Sequence, residues 1–116
     1  MKTVVRLPQF DTGQYNGATL THNGDAILAI DILELGCLRL HFVRCRYIQF
    51  TALYNCSSDM VKSYFCVDDL GESADLSRYV LGDIASKKAY KSLSHYRIFL
   101  DETGCYDIYS ESVALV

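Results

Sequence analysis

Proline is nearly absent from this sequence, which has a single proline, Pro8, in 116 residues. No linker, low-complexity tract or internal repeat interrupts the chain. A chain of this length is typical of one domain, and folding would bury roughly two-thirds of its unfolded surface. The sequence therefore predicts a single domain over residues 1–116.

Positive charge is also scarce. The formal net charge is −3 and the isoelectric point is about 5.5. The densest cationic stretch contains only Lys87, Lys88 and Lys91. Because sequence-independent binding to nucleic acid depends on neutralising phosphates, this balance argues against nucleic acid as a partner. An acidic protein is better suited to a basic protein partner.

The chain has no Cys-x-x-Cys pair and no segment that resembles a signal peptide. Its five cysteines are at positions 37, 45, 56, 66 and 105. The longest apolar run, "AILAIDILEL", has ten residues and carries two carboxylates, far too few residues for a membrane span. We expect reduced thiols, a cytoplasmic location and no membrane association.

The motifs of common enzymes are missing as well. There is no Gly-x-Ser-x-Gly elbow, no His-Glu-x-x-His and no glycine-rich phosphate loop. "DETGCYD" superficially suggests a calcium loop, but an EF-hand beginning at Asp101 would need oxygen ligands where Cys105 and Ser112 stand. The sequence therefore predicts no catalytic site, no metal and no cofactor.

Periodicity indicates several strands and one helix. Strand patterns occur in "KTVVRL", "AILAIDILEL", "CLRLHFV", "RYIQFTALY" and "MVKSYFCV", and again in the closing segment from Ser94 to Val116. Residues 11–25 look like polar turns. Helical spacing appears only in "SADLSRYVLGDIASKKAYKSL" (73–93), with Ser73 as the candidate N-cap. The predicted class is α+β, an antiparallel sheet of about six strands with one helix late in the chain.

The closing segment predicts a β-hairpin with one apolar and one polar face. A three-residue loop, 102–104, would use Gly104 for a left-handed backbone and would place Arg97 opposite Tyr109. This arrangement groups on one face the residues Tyr96, Ile98, Leu100, Tyr106 and Ile108. The polar face would then point outward, either as a solvated sheet with weak ion pairs or as a protein-binding surface.

The protein-binding interpretation selects two sets of residues, because Tyr and Arg often carry interface energy and carboxylates suit a basic partner. The hairpin supplies Arg97, Asp101, Glu102, Asp107, Tyr109 and Glu111. The acidic segment "DDLGESAD" (68–75) supplies Asp68, Asp69 and Glu72. The alternative for this second set is a solvated loop that leads into a helix N-terminus, where acids are favoured.

Two segments, "HNGDAILAIDI…LRLHFVRCRYIQF" and "SHYRIFLDETGCYDIYSESVAL", resemble the strand pairs of small strand-rich immunity proteins of bacterial polymorphic or contact-dependent toxin systems. The resemblance implies a non-enzymatic protein that binds a basic toxin domain and blocks its active site or an essential surface. One alternative is a small accessory or self-associating domain whose exposed strand edge pairs with a partner chain. A small-molecule enzyme also stays open, as does the oligomeric state.

Overall fold

The computed structural model describes residues 1–71, 73–82 and 93–116. The strands of this part of the chain are β1 (Lys2–Arg6), β2 (Tyr15–Asn23), β3 (Asp25–Ile32), β4 (Gly36–Val43), β5 (Tyr47–Ala52), β6 (Cys66–Asp69), β7 (Ser94–Leu100), β8 (Gly104–Ser110) and β9 (Ser112–Leu115). Its α-helices are α1 (Ser58–Val61) and α2 (Ala74–Gly82). Short 3-10 turns occur at Thr12–Gln14 and Leu53–Asn55.

The strands form two antiparallel sheets. The five-stranded sheet has the order β1-β6-β7-β8-β5, and the four-stranded sheet has the order β2-β3-β4-β9. With 55% strand and 17% helix, the predicted strand-rich antiparallel fold is confirmed. The prediction of one sheet of about six strands with one helix is wrong, because two sheets and two α-helices are present in the described residues.

Two segments account for most of this difference. Residues 11–25, predicted as turns, contain the nine-residue strand β2, whose small and polar side chains hide its alternation. "MVKSYFCV", predicted as a strand, begins inside α1, where the Ser57 hydroxyl accepts the Met60 N–H (3.4 Å) as an N-cap. In β2, sheet pairing outweighed the turn-forming composition, and at α1 a side-chain cap outweighed the alternating pattern.

One hydrophobic core is shared by the two sheets. Alternate residues of β3 and β4 enter this core from the four-stranded sheet. Alternate residues of β7 and β8 enter it from the five-stranded sheet. The buried cluster comprises Ala26, Leu28, Ile30, Ile32, Leu40, Phe42, Cys45, Phe65, Val67, Tyr96, Ile98, Leu100, Tyr106 and Ile108. The predicted apolar face of the closing hairpin therefore lies against this core, as its pattern indicated.

The register of the closing hairpin differs from the prediction by two residues. Arg97 lies opposite Asp107, not Tyr109, and the loop runs from Asp101 to Thr103. A shift of two keeps every side chain on its predicted face, so the hydrophobic pattern cannot detect it. The positive φ expected at Gly104 is present, and Glu102, which now lies inside the loop, also has a positive φ, of 59°. Gly104 has a φ of 142°, and an added Cβ there would collide with the Thr51 carbonyl oxygen.

Helix α2 covers part of the outer face of the five-stranded sheet, which is the face turned away from the shared core. Leu76, Tyr79 and Val80 of α2 pack against Tyr109 of β8 and against Leu93. The Ser73 hydroxyl accepts the Leu76 N–H (3.1 Å), which confirms the predicted N-cap. The rest of the predicted helix, residues 83–92, lies outside the described residues.

Candidate functional site

A row of polar side chains crosses the outer face of the five-stranded sheet. Its members lie directly opposite one another on neighbouring strands. In sheet order from β1 to β5 they are Thr3, Asp68, Arg97, Asp107 and Gln49. Three of these residues were predicted to contact a partner, so their environment decides whether the prediction can hold.

Asp107 is the centre of a buried ion network. His95 Nε2 lies 2.6 Å and Arg97 Nε 2.7 Å from the same carboxylate oxygen, Oδ1. Burial alone raises the pKa of Asp107, but the hydrogen bonds from His95 and Arg97 outweigh it and hold that pKa below its ordinary value. The carboxylate is therefore ionised and can only accept, so His95 donates from Nε2.

Ser73 extends this network to the helix. Its hydroxyl lies 2.7 Å from His95 Nδ1, so serine, imidazole and Asp107 form a continuous chain. Such connectivity is also that of a nucleophile, a general base and an orienting acid. Here the same hydroxyl caps α2, and Arg97 neutralises the acid. We therefore assign a structural role to this series of three hydrogen-bonded side chains, which fastens the start of α2 to β7 and β8.

Sequence reasoning missed this network because its members are far apart in the chain and belong to different elements. Ser73 precedes α2, His95 lies on β7 and Asp107 on β8. The one available signal was the candidate N-cap at Ser73 upstream of a strand that carries a histidine. Only the hairpin register, which pattern alone leaves open, places His95 and Arg97 within reach of Asp107.

The prediction of an outward polar face is wrong for Asp107 and Tyr109, which are each only 4% exposed. The Tyr109 ring contacts those of Tyr47 (centroids 4.8 Å apart), Tyr79 (5.3 Å) and His95 (4.9 Å). Burial first, and the charge of Asp75 second, raise the pKa of Tyr109 to about 12. Helix α2 thus packs on the Tyr109 ring, and Asp107 is withdrawn from the surface with His95 and Arg97.

The acidic segment from residue 68 is not a solvated loop throughout. Asp68 is 1% exposed and accepts hydrogen bonds from Thr3 Oγ1 (2.6 Å) and Ser63 Oγ (2.7 Å). Asp69 accepts the Gly71 N–H (2.8 Å), which closes a local turn. Glu72 lies outside the described residues. The Asp68 carboxylate thus ties three parts of the chain together and is withdrawn from the surface.

Glu111 lies at the opposite end of β8 from the hairpin loop. Both of its carboxylate oxygens are 3.2 Å from Arg44 Nη1, and its side chain is mostly buried. Since β8 has seven residues, this end is about 20 Å from Asp101 and Glu102. The eight predicted residues that the structure describes therefore do not form one site.

Asp101 and Glu102 remain at the surface, on the loop of the β7–β8 hairpin. The Tyr64 hydroxyl donates to Asp101 Oδ2 (3.3 Å), and the Tyr15 hydroxyl lies 2.5 Å from Thr103 Oγ1. Tyr64 is 41% exposed. We call the surface formed by Tyr15, Tyr64, Asp101 and Glu102 the tip surface.

Two shallow pockets adjoin at the tip surface and share Thr12. The acidic pocket, of about 150 Å³, is lined by Thr12, Gly13, Tyr15, Asp101 and Glu102. The apolar pocket, of about 170 Å³, is lined by Leu7, Pro8, Gln9, Phe10, Thr12, Tyr64 and Phe65. A cationic group and an apolar group therefore fit side by side on this end of the molecule.

Backbone strain is concentrated near the same surface. Phe65 (φ 50°) and Glu102 (φ 59°) are two of the three non-glycine residues with positive φ in the described chain. A left-handed backbone costs a non-glycine residue roughly 1–2 kcal/mol, and such strain often accompanies functional surfaces. Phe65 lines the apolar pocket and Glu102 the acidic one, so both strained residues border the tip surface.

Comparison with known proteins adds no relative: no protein-family model matches the chain, and neither a curated protein nor a solved structure is significantly similar to it.

Among the helices of residues 1–71, 73–82 and 93–116, none combines the length and the apolar character that crossing a membrane requires. In the same residues, His, Cys, Asp and Glu side chains do not converge in threes as a metal site would need. The candidate site is therefore defined by the geometry of the tip surface.

Proposed function

We propose that this chain is an immunity protein that binds and neutralises a cognate bacterial toxin domain through the tip surface. The observation that carries the proposal is the pair of carboxylates at Asp101 and Glu102, which stand beside the exposed Tyr64 and the acidic and apolar pockets. The sequence resemblance to immunity proteins supports the same function.

The two pockets favour one kind of partner contact. A lysine or arginine of the toxin can place its charged head against Asp101 and Glu102, while its aliphatic stem or an apolar neighbour enters the pocket beside Tyr64. Tyrosine supplies a large rigid contact with little conformational entropy to lose, which is why it is common at interface centres. The expected partner surface is therefore basic with an adjacent apolar residue.

The surroundings of the tip surface add negative charge. The Leu33 N–H donates to the Gln14 carbonyl (3.0 Å), which joins the β3–β4 turn to the loop that lines the acidic pocket. The exposed carboxylates nearby are Asp11 in that loop, Asp31 near the end of β3 and Glu34 in the turn. Several like charges at one end steer a basic partner towards it and raise the association rate at low salt.

The test is co-expression with the toxin domain encoded beside this protein. The variant Asp101→Lys/Glu102→Lys reverses charge at the tip surface. The matched control, Asp75→Lys/Glu111→Lys, makes the same change in net charge, with Glu111 at the far end of β8. We expect the wild type and the control to restore growth, and the tip variant to fail while remaining folded by circular dichroism.

Two results would contradict the proposal. If the tip variant protects cells fully and the control, folded by circular dichroism, does not, the binding site lies at the other end of the hairpin. If the wild type gives no protection and no complex with the toxin domain forms, the immunity function itself is excluded. Binding of purified proteins at low and high salt provides an independent readout, because salt should reduce the difference between wild type and tip variant.

A further inference from the structure

We propose that β5 pairs in antiparallel fashion with β5 of a second copy of this chain, so that the two five-stranded sheets continue across a twofold axis. The surface involved is the edge of β5 that pairs with no other strand of the described residues, since β5 is last in the order β1-β6-β7-β8-β5. This interaction goes beyond the toxin binding proposed above, although the loop with Asp101 and Glu102 adjoins one end of β5, and it would give the protein a dimeric form.

The other three edge strands carry features that oppose pairing with another chain. Strand β1 has Lys2 and Arg6 at its ends and an irregular register between Thr3 and Val5. Strand β2 has a register shift between Tyr15 and Ala18. Strand β9 has only four residues. Charge, bulges and shortness are the usual means by which proteins protect the edges of sheets.

Strand β5 has none of these features. Its sequence, "YIQFTA", contains no charged residue, no proline and no glycine, and its register with β8 is unbroken from Tyr47 to Ala52. Tyr47 is 37% and Phe50 is 48% exposed, so the edge also presents aromatic surface. An unprotected edge with high β-propensity is suited to strand addition.

The sequence of β5 is self-complementary when two copies run antiparallel. A twofold axis perpendicular to the sheet keeps side chains of the same face opposite one another. In the register centred on Gln49, Tyr47 faces Thr51 of the second copy, and Ile48 faces its Phe50. Both contacts pair an aromatic with a β-branched residue, a favourable cross-strand combination, and no like charges meet within the strands.

Charge near the two ends of β5 favours the same orientation. Exposed Arg46 directly precedes the strand. Beyond its other end, the Leu53 N–H donates to the Thr103 carbonyl (3.2 Å), which brings β5 alongside the loop that carries Asp101 and Glu102. Antiparallel pairing places Arg46 of each copy towards the acidic loop of the other, whereas parallel pairing would bring like charges together.

The test uses charge at the centre of the predicted pair. The mass of the wild type, measured by sedimentation, should rise with concentration from that of one 13.1 kDa chain towards that of two chains. Gln49→Lys and Gln49→Glu each bring two like charges together and should weaken the dimer at least about five-fold. An equimolar mixture of the two variants should restore it. Val4→Lys, on the exposed part of β1, is the matched control and should dimerise like the wild type.

Hydrogen exchange provides the second measurement. Amides of residues 47–52 should become more protected as the wild-type concentration rises, while those of β1 should not change. The proposal is overturned if the wild type stays monomeric up to about 1 mM, since a dissociation constant of that size corresponds to only about 4 kcal/mol of association free energy. It is also overturned if Gln49→Lys does not weaken the dimer, or if the amides protected on dimerisation are those of β1. Because these variants lie in β5, their effect on dimer mass is distinguishable from loss of toxin binding at the tip surface.

Discussion

The body and the tip of the β7–β8 hairpin carry similar side chains in opposite environments. In the body, α2 packs on the buried Tyr109, and the buried Asp107 carboxylate accepts from His95 and Arg97. At the tip, Asp101 and the neighbouring Tyr64 remain accessible. The difference shows that composition of a strand face does not determine its role, because a helix from elsewhere in the chain can cover part of it.

The comparison separates stability from binding. A carboxylate in the body holds two cationic or hydrogen-bonding partners in a buried site, so its removal leaves those partners without compensation. At the tip, the Asp101 carboxylate accepts from the Tyr64 hydroxyl (3.3 Å) and from the Glu102 N–H (3.0 Å) at the surface, where water can replace both donors, so its removal costs the fold little.

Asp107→Ala should produce the largest effect. The substitution leaves the Arg97 guanidinium without its counter-ion, although the Arg97 side chain is only 14% exposed, and it leaves His95 Nε2 without its acceptor. Breaking a buried charged pair in this way costs about 3–5 kcal/mol of unfolding free energy. Urea denaturation measures it. The matched change at the tip, Asp101→Ala, should stay within about 0.5 kcal/mol, and equal effects for the two variants would remove the distinction between body and tip.

Tyr109→Ala should cost about 3 kcal/mol of unfolding free energy, since it removes a buried ring that contacts Tyr47, Tyr79 and His95. The outward face expected from sequence would instead imply a change within about 0.5 kcal/mol. Thermal and urea unfolding of this variant decide between the two. Tyr64→Ala, at the exposed tip, is the control and should destabilise the fold much less.

Secondary structure could be predicted from the sequence where apolar residues alternate regularly. Contacts between parts that are distant in the chain could not be predicted. Strands β3 and β4 and the assignment of hairpin side chains to faces follow from a period of two. The polar strand β2 and the short helix α1 did not, because their patterns are dominated by turn and cap chemistry. The candidate site was less predictable than the fold. Asp101 and Glu102 could be predicted at the surface because they belong to a recognisable turn. No local sequence signal indicates that α2 covers Tyr109 or that the Tyr64 hydroxyl contacts Asp101.

Acid should destabilise the wild type more steeply than Asp107→Asn. The folded-state pKa of Asp107 lies below its ordinary value of 3.8, because the hydrogen bonds from His95 and Arg97 outweigh the effect of burial. The unfolded chain therefore binds this proton first, and the stabilisation is complete well above pH 3.8 and is lost as the pH falls through the folded-state pKa. Unfolding free energies measured from pH 6 downwards should converge for the two proteins. Parallel curves would show that Asp107 is not the responsible group.

Glu102→Gly is expected to have the smallest effect on stability and to act on stability and binding in opposite directions. Glu102 has a φ of 59°, so glycine relieves a left-handed backbone while giving back part of the gain as unfolded-chain entropy. The net result should be a rise of about 0.5–1 kcal/mol in unfolding free energy. Partner association should nonetheless slow, since one carboxylate has left the acidic pocket.

Glu102→Gln separates the two causes, because it removes the charge and keeps the strain: it should slow association equally and leave stability almost unchanged. Stopped-flow association and urea unfolding of both variants provide the measurements. If glycine and glutamine stabilise the fold equally, the φ of Glu102 stores no strain. If neither variant alters association, Glu102 is not part of the binding surface.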